Sequence, residues 1–164
     1  MSLLMTRRTA LISAAATTAV FALPSRSRAA TAHEVMMLTK SPDDPALRNI
    51  FSPRLLVVES GDTVKFVPTE KTHNSASIRG MIPEGAETWK GKINQEIEVT
   101  LTLPGFYGYE CTPHHAMGMV GLVVVKGDGM MTNLEAAKAA KLRGKGADVF
   151  AEIWAEVGGL DLQA

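Results

Sequence analysis

The strongest constraint on the fold is residues 96–103, Glu-Ile-Glu-Val-Thr-Leu-Thr-Leu, which alternate polar with apolar and stop at Pro104-Gly105. Successive side chains of a strand face opposite sides, so the run puts Ile97, Val99, Leu101 and Leu103 on one buried face. Similar short runs occupy residues 35–38, 55–59, 63–67, 106–110 and 121–125, with Ser60-Gly61-Asp62 and Pro68 among the breaks. Several short strands separated by Gly/Pro turns point to an antiparallel sandwich or barrel. After residue 131 the pattern changes. Thr132-Asn133-Leu134-Glu135 fits a capping box, residues 136–143 are good helix formers, and Gly144 stops them. Asp148 is expected to cap a second helix with Val149, Phe150, Ile153, Trp154 and Val157 on one face, ended by Gly158-Gly159. The expectation is a mainly β domain over residues 33–131 with a two-helix appendage over 132–164.

The first 32 residues do not belong to that domain. Arg7-Arg8 precede an apolar stretch at 10–23, then Pro24 and the small-residue triplet Ala30-Thr31-Ala32. This order is that of a cleaved export signal, and residues 6–11 carry the twin-arginine pattern. The apolar stretch, about 14 residues, falls short of the ~20 that a spanning helix needs. No membrane insertion is expected once the signal is removed. The whole chain balances 17 basic against 17 acidic residues. Without Arg7, Arg8, Arg26 and Arg28 it becomes acidic, with a net charge of about −4. That argues against a nucleic-acid partner, since general binders of nucleic acid run strongly basic. One cysteine in an exported chain has no intramolecular disulfide partner, so it is buried, paired with another chain, or held by metal.

That cysteine lies in Glu110-Cys111-Thr112-Pro113-His114-His115-Ala116-Met117-Gly118-Met119. A nucleophile would need a base, which His114 or His115 offers, but this leaves Met117 and Met119 unexplained. A buried, inert thiol is common, yet a histidine pair between Pro113 and Gly118 is not core composition. A metal site uses more of the residues. Two imidazoles, one thiolate and a weak thioether form the copper electron-transfer set. Cys111, His114 and Met119 supply three donors from one connection between strands. The fourth must come from His33 or His73, and His73, just past a strand in Lys71-Thr72-His73-Asn74-Ser75, is the better placed.

Residues 61–64 (Gly-Asp-Thr-Val), 71–74 (Lys-Thr-His-Asn), 80–87 (Gly-Met-Ile-Pro-Glu-Gly-Ala-Glu) and 111–119 resemble the pseudoazurins, a family of bacterial periplasmic cupredoxins. The resemblance extends over the chain after residue 32, and the C-terminal helices separate this family from shorter cupredoxins such as amicyanin. It implies a Greek-key β-sandwich holding one copper ion, with His73, Cys111 and His114 as equatorial ligands and Met119 as the axial one. It implies that Asn74 ties the His73 segment to the cysteine loop. Pro113 stiffens that loop and withholds a backbone donor from the thiolate. His115 is expected to be a surface neighbour. The implied function is a periplasmic one-electron carrier, not an enzyme, whose copper cycles between +1 and +2. It would be a monomer, with a cytochrome-type donor and a nitrite reductase-like acceptor. Pro113, Ala116 and Met117, with Pro68 nearby, would form an apolar docking patch ringed by Lys40, Lys71, Lys90 and Lys92. Two departures bear on that patch: Glu110 stands where relatives often have a basic residue, and residues 41–52 are longer than usual. The reading from another class is a protein that binds and delivers copper without redox cycling.

Overall fold

The computed structural model describes residues 28–162, so the basic and apolar parts of the expected export signal lie outside the described residues. Eight strands form two four-stranded sheets. One has the order β2-β1-β4-β6, from β1 (Ala32–Lys40), β2 (Arg48–Ser52), β4 (Thr63–Pro68) and β6 (Ile97–Thr100). The other has the order β3-β8-β7-β5, from β3 (Leu55–Glu59), β5 (Ala76–Ser77), β7 (Gly105–Glu110) and β8 (Val120–Lys126). Alternation decides what lies between them. Val35 and Met37 of β1, Val64 and Phe66 of β4, Tyr107 and Tyr109 of β7, and Val123 and Val125 of β8 form one buried cluster. The opposite face of the second sheet, with Phe106, Leu122 and Val124, packs against the C-terminal helix residues Phe150, Ile153 and Val157. Sheet β3-β8-β7-β5 is therefore apolar on both sides, which is why residues 120–125 read as an unbroken apolar run.

The pairing is mixed rather than antiparallel throughout. β1 runs parallel to β4, and β3 parallel to β8. Alternation within a strand is indifferent to the direction of its neighbour, so the sequence pattern carried no sign of this. The expected long strand at 96–103 is confined to Ile97–Thr100. Leu101 is buried, but its amide and carbonyl bond to Asp62 and Gly61, and Leu103 is exposed as the chain turns away. Strand β2 arises inside the long 41–52 segment, where no run was expected.

The capping box does not form. Thr132 lies inside a 3-10 turn, Met130–Asn133, and its hydroxyl donates back to the Gly129 carbonyl. Asn133 instead grips β7, accepting from the Phe106 amide at 3.0 Å and donating to the Phe106 carbonyl at 2.8 Å. Helix α1 (Leu134–Lys138) is shorter than the expected 136–143 run, and α2 (Gly146–Gly158) starts ahead of Asp148, which lies in its first turn instead of capping it. Phe150, Ile153 and Val157 are the buried face of α2 as expected, while Val149 and Trp154 are half-buried at its margin. Arg54 fastens this helix to the sheet through Glu152, at 2.8 Å, and Glu156.

Candidate metal centre

The site forms where two connections meet at one end of the sandwich. After Glu110, β7 gives way to a loop that returns the chain to β8. Cys111 donates its amide to the Met119 carbonyl at 3.0 Å, and Met119 donates to the His114 carbonyl at 3.2 Å, so the loop closes on itself. A 3-10 turn at His115–Met117 forms the middle of this loop, with none of its residues buried. Gly118 ends the turn at φ +97, a backbone conformation that glycine enters without steric cost, and a side chain there would also press on Val149. The return places the side chain of Met119 in the same buried cluster as Cys111.

His73 arrives from the connection between β4 and β5 and is fully buried. Its Nε2 lies 3.0 Å from the hydroxyl of Thr39 on β1. A proton on Nε2 donated to Thr39 leaves the Nδ1 lone pair facing inward. Thr39 is itself held by its amide, which donates to Glu70. Sequence reading missed Thr39, because nothing in Leu38-Thr39-Lys40 distinguishes a strand threonine from a ring-orienting one. Thr72, just before His73, sits at φ +82, an uncommon conformation for a β-branched residue. Its strain is tolerated because Asn94 binds both sides of it: the Asn94 side chain accepts from the Thr72 amide, and the Asn94 amide donates to the His73 carbonyl.

Asn74 joins the two connections. Its side-chain oxygen accepts from the Thr112 amide at 2.8 Å, while its nitrogen donates to the Thr112 hydroxyl at 3.0 Å and to the Gly91 carbonyl at 2.9 Å. Both donors of this buried amide and its oxygen are used, on the cysteine loop and on Gly91, between Lys90 and Lys92.

Three donor atoms converge. His73 Nδ1 and His114 Nδ1 are 3.2 Å apart, and Cys111 Sγ lies 3.5 Å from His114 Nδ1 and 3.9 Å from His73 Nδ1. Among the described residues this is the group of histidine, cysteine and acidic side chains placed to hold a metal ion. First-row divalent ions bond imidazole at about 2.0 Å and thiolate at about 2.3 Å, so one ion in plane with three such ligands sets edges of about 3.5 Å and about 3.7 Å. The observed triangle fits. Its electrostatics also favour a cation. Burial lowers the affinity of His73 for a proton, as does neighbouring His114, with Glu70 opposing; burial does the same for His114. Both rings are therefore neutral near pH 7, with lone pairs to give. Burial pushes the Cys111 thiol up, the backbone amides of Asn74 and His114 pull it down, and Glu110 pushes it up again. A bound cation would supply the stabilisation that this buried thiolate lacks.

His33 is far from the site, with Nε2 3.0 Å from Asp62. His115 turns away, donating Nδ1–H to the Thr112 carbonyl at 2.8 Å. His114 is half-buried, and Pro113, Ala116 and Met117 around it are exposed, Met117 by 51%. Pro68 is half-buried, and Lys40, Lys71, Lys90 and Lys92 are exposed. The long 41–52 segment runs beside this surface. With Leu47, Asn49 and Ile50 it lines a groove shared with Ala116, Met117 and Val149.

Comparison with known proteins agrees with this geometry. Residues 38–126 match the family profile of copper binding proteins, the plastocyanin/azurin family. A pseudoazurin of Paracoccus pantotrophus is 50% identical over 129 residues, 79% of this chain and 85% of that protein. A solved pseudoazurin from Sinorhizobium superposes with a TM-score of 0.72 at 47% identity, covering 77% of this chain and 96% of that one. The pseudoazurin of Methylobacterium extorquens superposes with a TM-score of 0.70 at 39% identity, covering 77% and 98%. The chain belongs to the pseudoazurins, electron-transfer copper proteins of the plastocyanin/azurin family.

Proposed function

We propose that this chain is an exported, periplasmic one-electron carrier in which His73, Cys111, His114 and Met119 would hold a single copper ion. The convergence of two neutral Nδ1 atoms and one buried Sγ within bonding range of a single ion carries the reading. Bound there, copper would supply the one-electron change between +1 and +2. The protein's part is to keep its donors still. His73 is fixed by Thr39 and Asn94, Cys111 by the Met119 carbonyl, and the two segments by Asn74, so the ligand atoms have little freedom to follow a change of charge. Four side-chain donors would fill the coordination of the ion and leave no open position for substrate, which favours a carrier over an enzyme.

His114 is the one ligand of the plane that is not fully buried, and it gives the electron a short way out through the apolar surface of Pro113, Ala116 and Met117. Lys40, Lys71, Lys90 and Lys92 steer partners that carry acidic rims, raising the encounter rate more than the affinity. In this reading a copper nitrite reductase accepts the electron, a cytochrome-type protein donates it, and the carrier works as a monomer. Among the described residues no helix is long and apolar enough to cross a membrane. The test is the visible spectrum of the copper-loaded protein. An intense band that disappears on reduction and returns on oxidation is expected; a colourless copper-loaded protein would defeat the proposal.

A further inference from the structure

The buried carboxylate of Asp62 bears on where the export signal is cut. It is fully buried, and three of the four groups that satisfy it come from residues 28–33. Thr31 donates its amide to Oδ1 at 2.8 Å, Arg28 places Nη1 2.8 Å from Oδ1, and His33 Nε2 lies 3.0 Å from Oδ2; the Glu59 amide adds a bond at 3.1 Å. The carbonyl of Thr31 also accepts from the Thr63 amide at 2.9 Å, and Ala32 stands opposite Thr63 at the start of the β1–β4 ladder. The sandwich therefore begins at Thr31, ahead of the Ala32–His33 boundary expected from the sequence.

Two small-x-small triplets that end on alanine, as the usual cleavage pattern does, are available to a signal peptidase: Ala30-Thr31-Ala32, and Ser27-Arg28-Ala29 three residues earlier. Cutting after Ala32 removes the Thr31 amide and carbonyl and the first rung of the ladder, and it leaves the buried carboxylate with only the Glu59 amide and His33, now the chain start, as partners. Cutting after Ala29 keeps all of these. It removes the Arg28 guanidinium, but it creates a positive charge on Ala30, adjacent in sequence to the Thr31 amide that already touches Asp62. We infer that the chain is processed by hydrolysis of the Ala29–Ala30 bond, so that Ala30-Thr31-Ala32 remain as the anchor of the mature N-terminus on Asp62. One water is consumed, Ala29 leaves as a carboxylate, and Ala30 keeps its nitrogen as an ammonium. The inference rests on the export reading above.

The test is the intact mass of the full chain expressed in a bacterium and recovered from the periplasm, alongside Ala29→Leu and Ala32→Leu. Ala32 is exposed, so its side chain has room to grow. Expected are a mature chain that starts at Ala30 for the wild type and for Ala32→Leu, and loss of that product for Ala29→Leu. A wild-type chain starting at His33, or a processing block in Ala32→Leu with normal cutting of Ala29→Leu, overturns the assignment of the cut while leaving export intact. A wild type that stays in the cytoplasm with all 164 residues overturns the export reading and the cut together, and an uncut chain in the periplasm overturns the cut alone.

Discussion

The two ends of strand β1 carry two polar clusters built on opposite principles. At its start, Asp62 is an acceptor ringed by donors: Arg28, the Thr31 and Glu59 amides, and His33. About 20 Å further along the strand, at the usual rise per residue, Thr39 orients His73 toward Cys111 and His114, where two neutral rings and a thiol point donor atoms at one another. The first cluster is complete as it stands. Burial pushes its carboxyl up, but in the uncut chain the hydrogen bonds from Arg28, Thr31, His33 and Glu59 outweigh it and hold the group well below the usual range; Thr31, His33 and Glu59 remain after a cut at Ala29–Ala30. The second is complete only with a cation at its centre. A buried polar group thus reports its role through its balance of donors and acceptors: the balanced cluster is structural, and the one with surplus lone pairs is a binding site.

The sharpest way to break this contrast is Cys111→Ser. The variant should keep its far-ultraviolet circular dichroism and lose the visible copper band altogether. It should also lose the thermal stabilisation that copper gives the wild type, about 4 kcal/mol when free metal exceeds its dissociation constant a thousandfold. Asp62→Asn should do the reverse, costing about 3 kcal/mol in urea unfolding because donors built for a charge lose it, with the visible spectrum unmoved. The pH dependence gives this comparison its sign. A carboxyl whose folded pKa is depressed contributes stability that is present above its unfolded value, about 3.9, and is lost as pH falls from there toward the folded value. The wild type should therefore lead Asp62→Asn fully at pH 6 and lose that lead below about pH 4.

Thr72→Gly tests the geometry that delivers His73. Relief of the positive φ should stabilise the chain by about 1 kcal/mol, because backbone strain outweighs the added flexibility of glycine. An unchanged spectrum would show that Asn94 and Thr39 hold the ring without help from Thr72. The smallest effect concerns encounter. Lys90→Glu should slow electron transfer to an acidic copper nitrite reductase by a few-fold at low salt, and stopped-flow rates should converge with the wild type as salt screens the charge. Equal rates at low salt would remove Lys90 from the docking surface and leave the metal centre untouched.

Much of this was legible in the sequence, for reasons that differ by residue. Alternation located β4 and β6, and short apolar runs located β1, β3, β7 and β8, because each has at least one face in the core. The donor spacing of Cys111, His114 and Met119 was readable because all three sit on one short loop. His73 was recoverable from the scarcity of histidine, as one of four in the chain. What stayed hidden depends on distant partners. Strand β2 exists because Phe51 packs on Phe66 and Tyr109, not because 41–52 has a pattern of its own. Thr132 failed as a cap because Gly129 starts the turn early and Asn133 is drawn to β7. Thr39 looks ordinary until folding sets it against an imidazole, and the Asp62 cluster draws on a segment that sequence pattern assigns to the leader.

The most direct test of the central contrast is X-ray absorption at the copper edge of the loaded wild-type protein. The expected result is one sulfur at about 2.2–2.3 Å and two nitrogens at about 2.0 Å, matching the triangle of Cys111, His73 and His114. A first shell of oxygen and nitrogen alone, with no sulfur at that distance, would contradict it.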